Sequence, residues 1–301
     1  MPIVVNTNVA ATSSAVNLNK NADALRKSLA RLSSGSRITQ PAEDAGGLAV
    51  AYKLESHMRR SEAILNNQQN ALSYLQVQDG VLETVGTIVG RMAELRTMAA
   101  DVTKNTSDID NYSKEFRELQ VQLRQMQLEK FNGISLFTSD TAVNTGSSDF
   151  TTEAAKSYKY RSHDGTDTTD TYIAKSMRLY THPSGQAQDG SISLNGVNLQ
   201  FVLRLDDTVI SGAGARYSNN NLGGMNGTSF QGANADDATL DVSNGIFNDI
   251  SNISIYQFTH VIEKIADARA ENGAEQQRIQ QAYQLHQTNL VNIEAARGKI
   301  G

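Results

Sequence analysis

Cysteine is absent from the 301-residue chain, which removes thiol nucleophiles, disulfides, thiolate metal ligands and iron–sulfur ligation together. Any remaining chemistry would fall to histidines and carboxylates. His57, His163, His182, His260 and His286 never stand four residues apart, and no HExxH, P-loop or GxSxG pattern occurs. A metal pair of His163 and His182 is outweighed by the reading of solvated loop side chains. His286 falls in the apolar phase of the last helical segment and reads as a packed side chain rather than a pH switch. Glu43 and Asp44 resemble a catalytic acid pair, but neighbours in a helix do not face each other, so they read as first-turn acids of a helix. Gly46-Gly47 lacks the strand before and the lysine after that a phosphate loop needs, and reads as close helix packing. Asp206-Asp207 and Asp236-Asp237 read as solvated turns. Arg59-Arg60 is too short a patch for nucleic acid. The sequence thus predicts no enzyme, no cofactor and no metal site.

Composition narrows the class further. Aromatics make up 6% and Trp is absent, a low aromatic content for an enzyme core. Three prolines leave room for long helices. A net charge of −5 argues against a general nucleic-acid binder. No run of 18 apolar residues suits a membrane span, so no membrane insertion is expected. Met1 to Asn6 lacks the basic and apolar regions of a cleaved secretory signal.

The elements that must position any surface are mostly helical. Ala15, Leu18, Ala22, Leu25, Leu29 and Leu32 alternate spacings of 3 and 4, as do Ile109, Tyr112, Phe116, Leu119, Leu123 and Met126. Leu72 and Leu75 open another stripe, and Ile88, Met92, Leu95, Ala99 and Val102 follow it. Near the other end come Ile255, Phe258, Ile262 and Ile265, then Ile279, Tyr283, Leu290, Ile293 and Ile300. A seam of this period needs a partner helix. Because the seams lie at opposite ends of the chain, the N- and C-terminal segments are expected to pair as an antiparallel coiled-coil-like bundle. The fold class is therefore mainly α with a β-rich insertion, built on a long helical rod. Between about 43 and 103 there is no proline, room for one helix of roughly 60 residues, about 90 Å long. Asn105 to Asp108 reads as a turn with an N-cap, and Asn132-Gly133 as the stop of the following helix.

Three domains are expected: an N-terminal segment and linker at 1–40, a helical rod at 41–137 plus 251–301, and a β-rich surface-exposed domain at 138–250. The middle carries 7 Lys and Arg against 13 Asp and Glu, and 12 of the 22 glycines. Ser191–Leu194 and Val197–Phe201 around Asn195-Gly196 predict a hairpin with a two-residue turn. Thr171–Tyr180 is a further strand, and 212–238 reads as loop.

Several segments resemble the bacterial flagellins. Ser28-Leu29-Ala30-Arg31-Leu32-Ser33-Ser34-Gly35-Ser36-Arg37-Ile38, continued by Pro41-Ala42-Glu43-Asp44-Ala45-Gly46-Gly47-Leu48-Ala49, is similar to their N-terminal signature. Asn6-Thr7-Asn8-Val9-Ala10-Ala11, Gly90-Arg91-Met92-Ala93-Glu94-Leu95 and Lys130-Phe131-Asn132-Gly133 fit the same pattern. Asn289 to Ile300 is similar to their C-terminal segment. Together these motifs cover about 180 residues in the family's order.

The resemblance implies a structural subunit of the flagellar filament, extracellular and exported through the flagellar type III channel without a cleaved signal peptide. It implies a chain that reverses direction, with both ends in the filament core and the middle outside. Self-assembly is then expected through the core and rod seams at Leu18, Leu25, Leu29, Leu32, Phe116, Leu119, Leu123, Ile262, Ile265, Leu290 and Ile293. Implied partners are other flagellin subunits, the export chaperone, and the hook-junction and cap proteins. By resemblance, an innate immune receptor would contact Arg91, Leu95 and Glu115. O-linked glycans could attach to the Ser/Thr-rich stretches 139–148 and 151–171. Flagellins continue past the position of Gly301 with a terminal helix, so a chain stopping there is expected to leave Leu18, Leu25, Leu29 and Leu32 uncovered. Alternative roles on the same scaffold are a hook–filament junction protein and a surface adhesin.

Overall fold

The computed structural model describes residues 9–138, 151–161, 167–205, 222 and 249–300. The chain divides into two units, 1–65 with 284–301, and 66–283.

The first unit holds α1 (Val9–Ser34), the start of α2 (Ala45–Ala99) and the end of α5 (Ile255–Ile300). Helix α1 stops at Gly35, which takes φ +68° while its N–H donates to the Arg31 carbonyl at 2.9 Å. Asp44 caps α2: its Oδ1 accepts the Gly47 N–H at 2.7 Å. A Cβ at Gly47 would collide with the Asp44 carboxylate and come within 3.1 Å of Ile38 Cδ1. Gly47 is therefore demanded by the cap rather than by a neighbouring helix. Glu43 also departs from the expected first-turn role. It turns back to α1, accepting from Lys27 Nζ at 2.9 Å and Arg31 Nη2 at 3.4 Å, and from the Thr39 N–H at 3.3 Å. The Lys27 ammonium above all holds its carboxyl below the usual range.

In the second unit α2 and α5 run antiparallel. Arg96 Nε donates to the Ile253 carbonyl at 2.6 Å, Arg269 Nε to Asp79 at 2.9 Å, Asn272 Nδ2 to the Leu75 carbonyl at 3.1 Å, and Gln69 Nε2 to the Tyr283 hydroxyl at 3.1 Å. The expected pairing of the two ends of the chain is thus realised. Helix α3 (Thr106–Gln127) opens on a full capping box between Asn105 and Asp108.

Helices α2, α3 and α5 each bury a seam of alternating 3- and 4-residue steps. In α2 it runs Gln68, Ala71, Leu75, Gln78, Leu82, Val85, Val89, Met92; in α5 Phe258, Val261, Ile265, Ala268, Asn272, Glu275, Ile279; in α3 Ser113, Phe116, Gln120, Leu123, Gln127. Phe116 meets Phe258 edge to face at 6.2 Å. The seams are partly polar, which a reading through apolar residues alone cannot see. Ile262 consequently lies off the α5 seam, 40% exposed, and Val102 lies beyond α2, almost fully exposed. Asn272 also donates to Gln78 Oε1 at 3.1 Å, and Gln78 Nε2 to the Leu136 carbonyl at 2.6 Å. Gln68, fully buried, has no hydrogen-bond partner among the described residues.

After α3 come β1 (Lys130–Phe131) and β2 (Ile134–Ser135), an antiparallel hairpin. Asn132-Gly133 is its turn, with φ +50° and +84°, not the stop of α3, which ends at Gln127. A four-stranded sheet follows in the order β3 (Phe137–Thr138), β6 (Ser191–Asn198), β5 (Asp167–Tyr180), β4 (Thr151–Arg161); β3 is parallel to β6 and the other pairs are antiparallel. The hairpin expected around Asn195-Gly196 does not form. Both residues lie inside β6, paired with Ser176 and Lys175. The second half of that motif is α4 (Leu199–Val202), capped by Asn198, whose Oδ1 accepts the Phe201 N–H at 3.0 Å. Neighbours on both sides of β6 override the local turn preference. The sheet joins the rod helices in one core through Leu136, Phe137, Ile192, Leu194 and Leu199.

Candidate functional site

Helix α1 is built for contact yet buries none of its residues. Its expected seam residues stand open: Leu18 at 70% exposure, Leu25 at 62%, Leu29 at 55% and Leu32 at 81%, joined by Val9 and Val16. Large apolar side chains in such a stripe mark an interaction surface. Burying each would contribute roughly 1.5–3 kcal/mol. The helix is held to its own unit by polar ties at its C-terminal end, the Lys27 and Arg31 bonds to Glu43. In the same unit Arg37 donates twice to the Ile300 carbonyl, at 3.0 and 3.2 Å, and an open groove of about 470 Å³ is lined by Ile38, Leu48, Tyr52, Glu55 and Arg297. Leu290 and Ile293 are half-buried there.

The rod residues are distributed differently. Phe116 and Leu123 are fully buried, Ile265 nearly so, and Leu119 packs half-buried against the core. Arg91 Nε donates to Glu115 Oε1 at 2.8 Å and its Nη1 to Glu94 Oε2 at 3.2 Å. Glu115 first, then Glu94, raises the Arg91 pKa. Leu95 is fully buried, so only Arg91 and Glu115 of that trio present polar surface.

The candidate chemical residues are spoken for or scattered. His182 Nδ1 lies 2.8 Å from Ser184 Oγ in a turn, and His57 lies beside Ser61 in its own helix. Arg59 pairs with Glu55 at 2.7 Å and Arg60 bonds the Ser56 carbonyl. His286 is half-buried. His163, Asp206-Asp207, Asp236-Asp237, the loop 212–238 apart from Leu222, and the stretch 139–148 lie outside the described residues. Among the described residues no group of three His, Asp or Glu is arranged to hold a metal, and no helix is long and apolar enough to cross a membrane.

One residue escaped the sequence reading. Among the described residues, β3 covers β6 at Val197 and Asn198 alone. On the uncovered stretch, Glu275 of α5 accepts the Asn195 N–H with both oxygens at 3.1 Å, and Arg278 Nη2 donates to the Ser193 carbonyl at 3.1 Å. Glu275 is only 7% exposed, and burial pushes its carboxyl up to about 7. The only sequence signal was its place in a heptad, where an acid stands at a seam position.

Long antiparallel helices with heptad seams, and a further helix whose leucine stripe is left open, define a mainly helical protein of the coiled-coil type. Residues 5–142 match the bacterial flagellin N-terminal helical region. The N-terminal helical part of the chain is thus similar to that of the bacterial flagellins. It is 30% identical over 144 residues to a flagellin of Escherichia coli O127:H6, covering 48% of this chain and 26% of that protein. A flagellin of Shigella flexneri matches to the same extent. The phase 2 flagellin of Salmonella typhimurium is 24% identical over 255 residues, 84% of this chain and 44% of that protein. The matched stretches thus span between about a quarter and under half of these relatives.

Proposed function

We propose that the chain is a structural subunit of the bacterial flagellar filament, acting in motility outside the cell and polymerising through its helical segments. The observation that carries this reading is the open stripe of Leu18, Leu25, Leu29 and Leu32 on a helix that buries nothing of its own. Such a helix gains its apolar burial only on assembly, so assembly is favoured over the isolated chain. Residues 1–40 serve as the filament-core segment, 41–137 with 251–301 as the rod, and 138–250 as the exterior domain. The rod residues Phe116, Leu119, Leu123 and Ile265 act by keeping the subunit rigid, while Ile262, exposed on α5, is free for lateral contact.

Its partners on this reading are other flagellin subunits, the export chaperone, and the hook-junction and cap proteins, after type III export without a cleaved signal. Recognition by an innate immune receptor rests on Arg91 and Glu115, with Leu95 supporting from below. The test is seeded polymerisation of the purified chain followed by negative-stain electron microscopy. Filaments, formed alone or after addition of a flagellin C-terminal helix, support the reading. Monomers under both conditions would overturn it.

A further inference from the structure

The edge of β6 is closed by side chains where, among the described residues, no strand lies beside it. Glu275 supplies the acceptor for the Asn195 N–H and Arg278 the donor for the Ser193 carbonyl, the two bonds a neighbouring strand would make. Beside them a cavity of about 70 Å³ lies between the sheet and α5, lined by Lys156, Tyr172, Phe201, Lys264, Asp267 and Glu271. Phe201 stacks on Tyr172 at 4.3 Å, and Lys264 Nζ, itself buried, donates to the Arg204 carbonyl at 3.0 Å. Along this edge the polar ties of the sheet to α5 thus gather around one buried carboxyl, beside the shared apolar core.

We propose that Glu275 is a proton-operated latch, holding β6 on α5 firmly when protonated and loosening the sheet from the rod when ionised. A protonated carboxyl keeps an oxygen for the Asn195 N–H without placing a charge in the seam. An ionised one keeps the bond but must hold its charge away from water. The groups facing it decide how hard that is. Burial is the largest influence, and Glu271 of α5 opposes the ion. The Asn195 N–H first, then Arg278 of α5 and Lys156 of β4, favour it without prevailing over burial. Lys156 is shared with Glu271 at 3.8 Å. Lys175 of β5 sits opposite Gly196. On α2, Asp79 is already engaged by Arg269. Tyr172, pushed up to about 12 by burial, stays neutral throughout.

The sign follows from the raised value. The contribution of Glu275 to docking is complete below its ordinary value of 4.5 and is lost as the pH rises through about 7. Between pH 5 and 9 these two values weaken docking by roughly 50- to 100-fold. The test is amide exchange of β6, corrected for intrinsic rates, across pH 5 to 9 in the wild-type chain and in Glu275→Gln. The expected result is a loss of protection of that size in the wild type and less than about threefold in the variant. Equal pH slopes would overturn the latch. Should Glu275→Gln not fold, direct titration of the wild-type Glu275 carboxyl by carbon NMR decides instead. A midpoint near 7 supports the latch, and one near 4.5 removes it.

Discussion

Helix α1 and the second unit's stretch of α5 carry the same 3,4 spacing and opposite burial. In α1 every leucine of the stripe is exposed, whereas α5 buries Phe258, Val261, Ile265 and Ile279 almost completely. A heptad therefore states that a helix wants a partner, not that its own chain supplies one. Where the chain does supply one, the seam tolerates Asn272, Gln78 and Glu275, because each finds a hydrogen bond. The α1 stripe has no such polar interruption among its leucines. Its preference is left to area alone, which suits a surface awaiting many identical partners.

Substitutions can break that contrast at graded strength. The largest effect is expected for Phe258→Ala, which empties a fully buried site against Phe116. It should cost about 3–5 kcal/mol in urea unfolding of the monomer. Next comes Gln68→Leu, which removes a buried amide without partners. Here unfolding should shift in the opposite direction, gaining roughly 1–2 kcal/mol; a loss of stability would mean the amide is satisfied by water. Leu25→Ala in α1 should change monomer stability by less than about 0.5 kcal/mol. The same variant should nevertheless slow seeded polymerisation sharply, and equal filament yield would break the assignment of α1 as the assembly face. The smallest effect is expected for Glu43→Gln, read as faster amide exchange at the C-terminal end of α1 with global melting unchanged. Because Lys27 lowers the Glu43 carboxyl, its tie is present above the ordinary carboxylate value and is lost as pH falls through the lowered one. In the variant, α1 exchange should lose that acid dependence.

Much of this was legible in the sequence. The helices, their reversal and the α3 cap follow from spacing, scarce proline and the Asn105–Asp108 pattern. What stayed hidden was decided by neighbours distant in sequence. Among the described residues Asn-Gly occurs at 132, 195 and 272, and only the first is a turn: the second lies in β6 and the third inside α5. At 195 the pairing with β5 and the Glu275 bond hold the backbone extended, outweighing the local preference. The polar seam positions were invisible for a related reason: Asn272 is an interior residue because it donates to the Leu75 carbonyl and to Gln78 on the facing helix. Glu43 and Asp44 are adjacent, yet one caps α2 and the other reaches back to α1. Spacing alone cannot divide those roles.

The ladder of contacts between α2 and α5 has a consequence for how such genes can vary. Arg96 meets residue 253, Asp79 meets 269, Leu75 meets 272 and Gln69 meets 283, so one fixed alignment holds along the paired helices. Inserting or deleting one codon in either helix would turn every later seam residue by about 100° and pull it off its counterpart. Changes of seven codons matched in both helices would leave both the phase of the seam and the alignment of its counterparts in place. The two helices are thereby committed to changing length together, although more than 150 codons separate Arg96 from Ile253.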